Sequence, residues 1–568
     1  MDLDTQPWFR GSTDCPPFSL FTLLSSRSRA FHCIACFPWT AQSSNILWDG
    51  NMQHNDSDLE SKWQDVAKEW MGAIAVGGTG RLCIFPKLAT GKPTVVNLSE
   101  ADAKIENVAW AINRKEPLKP LIVFTVTSVV LVYNVTTREI VGKLRGHGGP
   151  ITSLSVHPSY PDLFCTTSRD FTARIYDLTL PPVQRPNNPH WFPNQGPSLA
   201  GPAHGLHMCE PEGEGIGRAV AVMVGGRSGG HAGAVLCSAF HRSHPLIATG
   251  GMDRAVKIWR IPPTVFAPPP DLPILAREDK PLFSTDLMHK ARVLSIHWLA
   301  DDILASCSAS ALMRHRPQDG KRTYWEDGTL IVWQWLAFNR FFPPGKTPQK
   351  VMRGTASDWR NSESFKILSG YHIPPAAKRF HVYQSLTHDP LLLIPLGKVI
   401  RIFNVSRFST RRPPKFPLDN SLVELTNSGS GSQSGTPGPT TSDQQTEGQT
   451  ASELEQHDDG NDSSGASPSG REEEEEEETR DGGEVEEDLI PASTTYPPPA
   501  PLAALFDGVE SWEVVAELPQ GGGPPEIPDI TTCAMAFEGL GIVGIGHEGT
   551  LYVWRLKTER LGHGQIVS

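Results

Sequence analysis

The sequence predicts an all-β fold, a seven-bladed β-propeller with long disordered insertions. Three observations predict it. The stretch Arg145 to Leu178 reads as three short strands between fixed turn residues. Other stretches along the chain repeat its order. One segment, 409–508, has a composition that cannot bury a core.

The organising stretch is RGHGGPITSLSVHPSYPDLFCTTSRDFTARIYDL. Gly146-His147 opens it. Alternating apolar residues Ile151, Leu154 and Val156 follow, and His157-Pro158 ends that run. LFCTTS leads into Arg169-Asp170, and ARIYDL closes the unit. Period-2 runs separated by turn residues are strands. Gly-His, strand, strand, Asp turn, strand and a closing aromatic is the order of a WD40-type propeller repeat. One such unit cannot cover its own sheet faces, so it requires sisters.

The sisters follow in chain order. Residues 1–17 carry no pattern. FSLFTLLS, from Phe18, is expected to complete the last blade, so that both termini close one sheet. Phe31 to Trp39 is the first inner strand, and GAIAVGGTGRLCIF continues blade one after a polar insertion, 40–70, whose end suits a short helix. Blade two runs from Val108, and blade three is the organising stretch. Residues 179–217, rich in Pro, Gly and His, are read as loop, with an outer strand resuming at Val220. GHAGAVLCSAFHRSHPLIATGGMDRAVKIWRI is blade four, followed by the proline-rich PPTVFAPPPDLP. HKARVLSIHWLADDILASCSAS and DGTLIVWQW make blade five around a basic insertion, 311–326, with Arg314, Arg316, Lys321 and Arg322. Blade six is FHVYQSLTHDPLLLIPLGKVIRIFNV, and blades one to six span 18–408. Residues 509–558 hold the outer strand of blade six, at Trp512 to Val515, and blade seven; 559–568 is a tail.

Composition separates a packed body from an unpacked segment. Hydrophobic residues are 38% of the 568, a low share, while 51 glycines and 50 prolines suit turn-rich β structure. The net charge is −12, yet Leu418 to Asp488 alone carries −19, so the remainder carries +7. That mildly basic body is compatible with chromatin and with nonspecific DNA contact. Nine scattered cysteines suit a reducing compartment. Cys33 and Cys36 form a CxxC without the second pair that structural zinc requires, so they read as buried thiols. No apolar run reaches membrane-spanning length, and the acidic Asp2 and Asp4 make a poor signal peptide. A soluble intracellular protein is expected.

The chemistry looked for is missing from the sequence: no GxxxxGK[ST], HExxH, GxSxG or strand-borne GxGxxG. No enzyme, cofactor or metal is predicted. The repeat-opening histidines have a structural role instead. His147, Ser168, Asp170 and Tyr176 in blade three, and His231, Asp253 and Trp259 in blade four, occupy the positions of a buried hydrogen-bond relay.

Particular strings go beyond the repeat. The phrases GMDRAVKIWRI and FSTDLMHKARVLSIHWLADDILASCSAS resemble successive blades of the Polycomb family called embryonic ectoderm development, or extra sex combs. The resemblance covers most of the chain outside the insertions and is closest across blades two to five. It implies a nuclear, non-catalytic scaffold of Polycomb repressive complex 2. Its partners would be an Enhancer-of-zeste-type methyltransferase subunit, whose helix sits on one propeller face, other subunits of that complex, and the histone H3 tail on the opposite face. In that family an aromatic cage takes trimethyl-lysine, since a quaternary ammonium donates no hydrogen bond and aromatic faces hold it by cation–π attraction. Carried over residue by residue, the cage falls on Phe37, two before Trp39; on Glu106, four before Trp110, where the family has tyrosine; and on Phe380-His381, or Tyr383 in another register. Phe37, Phe380 and His381 are expected to meet near the central opening, on the face formed by loops leading into inner strands. The rival reading is a generic WD adaptor such as a ubiquitin-ligase substrate receptor. The Trp-Asp-x-Arg strand ending common in those adaptors is not matched by IYDLTL, IWRI, VWQW or VWRL.

Overall fold

The computed structural model describes residues 18–24, 30–44, 57–87, 92–183, 211–225, 229–266, 275–314, 323–345, 354–373, 379–384, 389–405, 511–515, 529–536 and 539–556. The acidic segment therefore lies outside the described residues.

Among the described residues seven sheets form the blades, each ordered from an inner strand outward and antiparallel throughout except where Ala276–Glu278 joins Arg218–Met223 in parallel at the edge of blade three. The inner strands are Phe31–Cys36, Ile105–Ile112, Ile151–Val156, Val235–Phe240, Val293–Trp298, His381–Tyr383 and Ile530–Ala536. The N-terminal strand Phe18–Leu24 pairs antiparallel with Leu551–Leu556, from Phe18↔Leu556 to Leu24↔Leu551, as the outer strand of blade seven. Its hydrogen bonds satisfy an edge that would otherwise stay open.

The core is divided among blade junctions. Seven apolar clusters each join residues of two neighbouring blades; that of blades one and seven unites Phe31, Ile74 and Val76 with Val543, Ile545 and Val553. Second strands face such a cluster on both sides. Leu163–Ser168, Leu246–Gly251, Ile303–Ser308 and Gly541–Gly546 are buried at every position. That is why these strands read as continuous small and apolar runs, not as alternation. Gly250 is one of the small residues this requires: an added Cβ would lie 2.6 Å from Val293 of the next blade.

The structure refines three sequence readings. Within 179–217, Gly213–Gly215 is a strand that pairs with Glu139–Leu144 at the outer edge of blade two. Insertion 40–70 contains the helix Ser57–Trp70. Its Trp63 is completely buried in the cluster shared by blades one and two and donates Nε1–H to the Thr40 carbonyl at 3.1 Å. Insertion 311–326 contains a two-stranded hairpin, Ala311–Arg314 with Thr323–Glu326.

Candidate functional site: the two mouths of the propeller

The repeat histidines form closed networks. In blade three, His147 Nδ1 lies 2.8 Å from Asp170 Oδ2 and Nε2 lies 2.8 Å from Thr166 Oγ1; Tyr176 hydrogen-bonds Thr166. In blade four, His231 joins Asp253 at 2.9 Å and Thr249 at 2.8 Å, and Trp259 Nε1–H donates to Thr249 at 2.8 Å. The middle link is thus a threonine on the second strand. Ser168, assigned to the relay from sequence, instead donates to the Gly149 carbonyl at 2.9 Å and accepts from the Asp170 N–H, so it fixes the turn. Burial alone would raise the Asp170 carboxyl, but His147 and then Arg174 outweigh it and hold it at about 2. Blade five keeps His289, Ser306 and Trp333, with 2.7 and 3.1 Å contacts. Its His289 Nδ1 faces Thr329 Oγ1 at 3.5 Å where the others face a carboxylate, and burial pushes this ring down to about 3. The polar groups of these relays bond one another in the buried interior, as a structural network requires.

The propeller has two mouths. The entry mouth is where the chain leads into the inner strands, and the exit mouth is where it leaves them. Neighbouring inner strands run the same way: Cys33 lies beside Ile105, with Sγ 3.3 Å from its carbonyl, and Trp110 Nε1–H donates to Ala35 O at 3.1 Å.

The exit mouth holds a cavity of about 520 Å³ whose walls include Phe37, Trp39, Met71, Trp110, His381 and Tyr383. The Phe37 ring meets Trp39 at 5.3 Å and Trp110 at 5.2 Å, both edge-on, and Trp70 of the insertion helix packs 5.7 Å from Trp110. Such offset arrangements add to plain burial. Met71, just past the helix, is half exposed at the rim. Burial pushes the imidazoles around this mouth down, His157 to about 3 and His381 to about 4, so both are neutral near pH 7. A second cavity, about 240 Å³, adjoins it between blades four, five and six and shares Arg242 and Gln384 as walls.

The entry mouth is polar. Glu106 is exposed near the start of the blade-two inner strand. His32 Nε2 lies 2.8 Å from Thr79 Oγ1. Arg379, two residues before the blade-six inner strand, reaches across the axis and donates from Nη2 to the carbonyls of Thr152 at 2.7 Å and Leu236 at 3.1 Å. It thereby ties blade six to blades three and four. The sequence reading passed over this residue, whose partners lie 227 and 143 positions away.

The five cage candidates are divided by this geometry. Phe37, His381 and Tyr383 share the exit cavity. Glu106 stands at the other mouth. Phe380 is buried in the cluster between blades five and six, beside Ile303 and Phe403. The expected meeting on the entry face differs because Phe37 follows its inner strand, and strand polarity carries it to the exit end. Cys33 and Cys36 lie on that same strand, and burial pushes both thiols up to about 12.

Comparison with known proteins agrees with the repeat reading. The family model for the WD domain, G-beta repeat, matches residues 138–177 and 226–260. The Polycomb protein EED of Chaetomium thermophilum is 25% identical over 275 residues, 46% of this chain and 39% of that protein. The Polycomb protein esc of Drosophila melanogaster is 21% identical over 267 residues, 44% of this chain and 54% of that protein. The Polycomb group protein FIE1 of Zea mays is 22% identical over 39% of this chain and 42% of that protein. The chain thus spans about half, or less, of the length of the curated relatives it matches. Among solved structures, a chain of the Chaetomium thermophilum Polycomb repressive complex 2 bound to an inhibitor superposes with a TM-score of 0.51 at 15% identity, covering 95% of this chain and 98% of that one. A chain of the same complex with trimethylated histone H3 gives 0.50 at 14%, covering 95% and 97%. With its relays, its seven junction clusters and these likenesses, the chain is a WD-repeat β-propeller related to the Polycomb proteins of the EED and extra sex combs family.

Proposed function

We propose that the chain is a non-catalytic scaffold of a nuclear Polycomb repressive complex 2-like histone H3 methyltransferase. The single observation that carries this reading is the aromatic cavity at the exit mouth of a propeller related to EED and esc proteins. Its walls come from several blades, so a partner segment lying there is held by the ring as a whole. We assign that cavity to a segment of the Enhancer-of-zeste-type methyltransferase subunit. Large apolar anchors in a desolvated pocket dominate such interfaces. Catalysis belongs to the partner on this reading.

A second reading concerns methyl-lysine. The convergence of Phe37, His381 and Tyr383 in one cavity supports trimethyl-lysine recognition there. Arg242 in the same wall works against it, because a like charge opposes a contact worth about 0.5–2 kcal/mol. The hairpin at 311–326 is the proposed DNA-facing element: Leu312, Tyr324 and Trp325 are exposed, and the sequence between its strands is basic.

Co-purification of the full chain with the methyltransferase subunit tests the main reading. Met71→Arg should abolish recovery of the pair, and Glu106→Gln should leave it intact. Equal recovery with Met71→Arg would overturn the assignment. Titration with trimethylated and unmodified histone H3 peptides tests the second reading. Equal affinity, or indifference to Tyr383→Ala, removes it without touching the scaffold role.

A further inference from the structure

The two exit-face cavities form one groove with an unequal charge. They share Arg242 and Gln384 as walls, so the space over the aromatic floor continues between blades four, five and six. Few groups facing this groove carry charge. His157 and His381 are held neutral by burial, as is His241, pushed down to about 4. Arg242 is exposed and makes no ion pair among the described residues, although Asp301 lines the same smaller cavity. Asp301 keeps most of its carboxylate in solvent and lies 3.7 Å from His241 Nε2. The groove therefore runs from an aromatic chamber, past one guanidinium, to one carboxylate.

We infer that this groove selects a peptide segment with a large apolar side chain followed by a carboxylate. The apolar group fills the chamber walled by Phe37, Met71 and Tyr383. The carboxylate pairs with Arg242 at the shared wall. Asp301 beyond it repels a second acidic residue and favours a cation. The inference rests on the exit-mouth seat proposed above and adds the chemistry of what sits there. The argument is charge complementarity. A guanidinium presents five donors in a fork that fits a carboxylate in two bonds. Here it sits exposed beside an aromatic chamber, so the pair is a solvated contact that chooses which residue follows the anchor more than it adds affinity. An acid at this point pairs with the guanidinium, whereas a lysine would bring two cations together. The insertion helix takes part because its end supplies Met71, the rim residue.

A displayed library of random linear peptides, selected on the immobilised full chain, tests this. Selection on wild type should enrich an aromatic or long aliphatic residue followed by Asp or Glu. Arg242→Glu should reverse the preference to Lys or Arg, and Asp301→Lys should admit a second acid. For one synthesised binder, Arg242→Ala should weaken affinity up to about fivefold, equivalent to about 1 kcal/mol. Both positions are exposed, so these variants should fold. Peptides that lose binding with Met71→Arg but ignore charge at position 242 would overturn the role of Arg242 and leave the seat standing. Binders indifferent to Met71→Arg, or no binders at all, would overturn both.

Discussion

The two mouths are built from the same inner strands, yet they differ in kind. At the exit, Phe37 and Trp39 follow the blade-one inner strand, Trp110 lies near the end of the blade-two inner strand, and the insertion adds Trp63, Trp70 and Met71. At the entry, Glu106, His32 and Arg379 present polar groups, and Arg379 spends two donors on backbone carbonyls across the axis. A propeller fixes the direction of its inner strands, so residues at a strand's start and end face different mouths. Apolar residues at one end form the seat proposed above for a partner; at the other end Arg379 ties three blades together.

The largest expected effect is at the exit mouth. Trp63→Ala removes a completely buried indole and should cost about 3–5 kcal/mol of stability, read as a lower denaturation midpoint. A change under about 1 kcal/mol would mean that the insertion helix is not part of the core. At the entry mouth, Arg379→Ala removes two charge-assisted bonds and should cost about 1–3 kcal/mol. Faster amide exchange of the blade-three and blade-four inner strands would show that the tie had been lost.

Acid should act by a smaller amount. His157 and His381 have folded values near 3 and 4, below the ordinary value of about 6.5. The unfolded chain therefore takes up protons first, and stability present above about 6.5 falls as pH drops toward 4. His381→Gln should flatten that loss, by about 1 kcal/mol at pH 5.5. Asp170, held at about 2, acts lower down: its contribution is present above about 4 and is lost as pH falls through 2. An unchanged slope between pH 6.5 and 4 in His381→Gln would contradict the depressed value of that ring. The smallest effect is expected from Glu106→Gln, within about 0.5 kcal/mol, because the residue is exposed.

Much of the fold was legible because a propeller blade is a local object. Its strands follow one another in sequence, so alternation, Gly-His openings and Asp turns mark them one by one. The closing strand at Phe18 was legible from the unpaired edge it had to fill. The relay positions of His147, Asp170, His231, Asp253 and Trp259 could be read from spacing. Thr166 and Ser168 could not be told apart, since both are small hydroxyl residues two apart on one face of one strand, and only their position along it relative to His147 decides. The site was less legible. Phe37 was placed by its distance from Trp39, which does not say which mouth it faces; counting strand polarity from Phe31 would have. Phe380 looked like a cage wall but points into a blade junction, a choice that a three-residue strand does not reveal. Arg379 had no local signal, because its partners belong to blades three and four. Trp63 stood in a polar insertion, where its burial depends on Thr40 and the neighbouring blade.

The central claim is that the exit mouth, not the entry mouth, seats the partner. Photo-crosslinking within the assembled complex tests it most directly, with the reactive group placed at Met71 in one sample and at Glu106 in another. The account predicts crosslinks to the methyltransferase subunit from position 71 and none from position 106. Crosslinks from position 106 alone would contradict it.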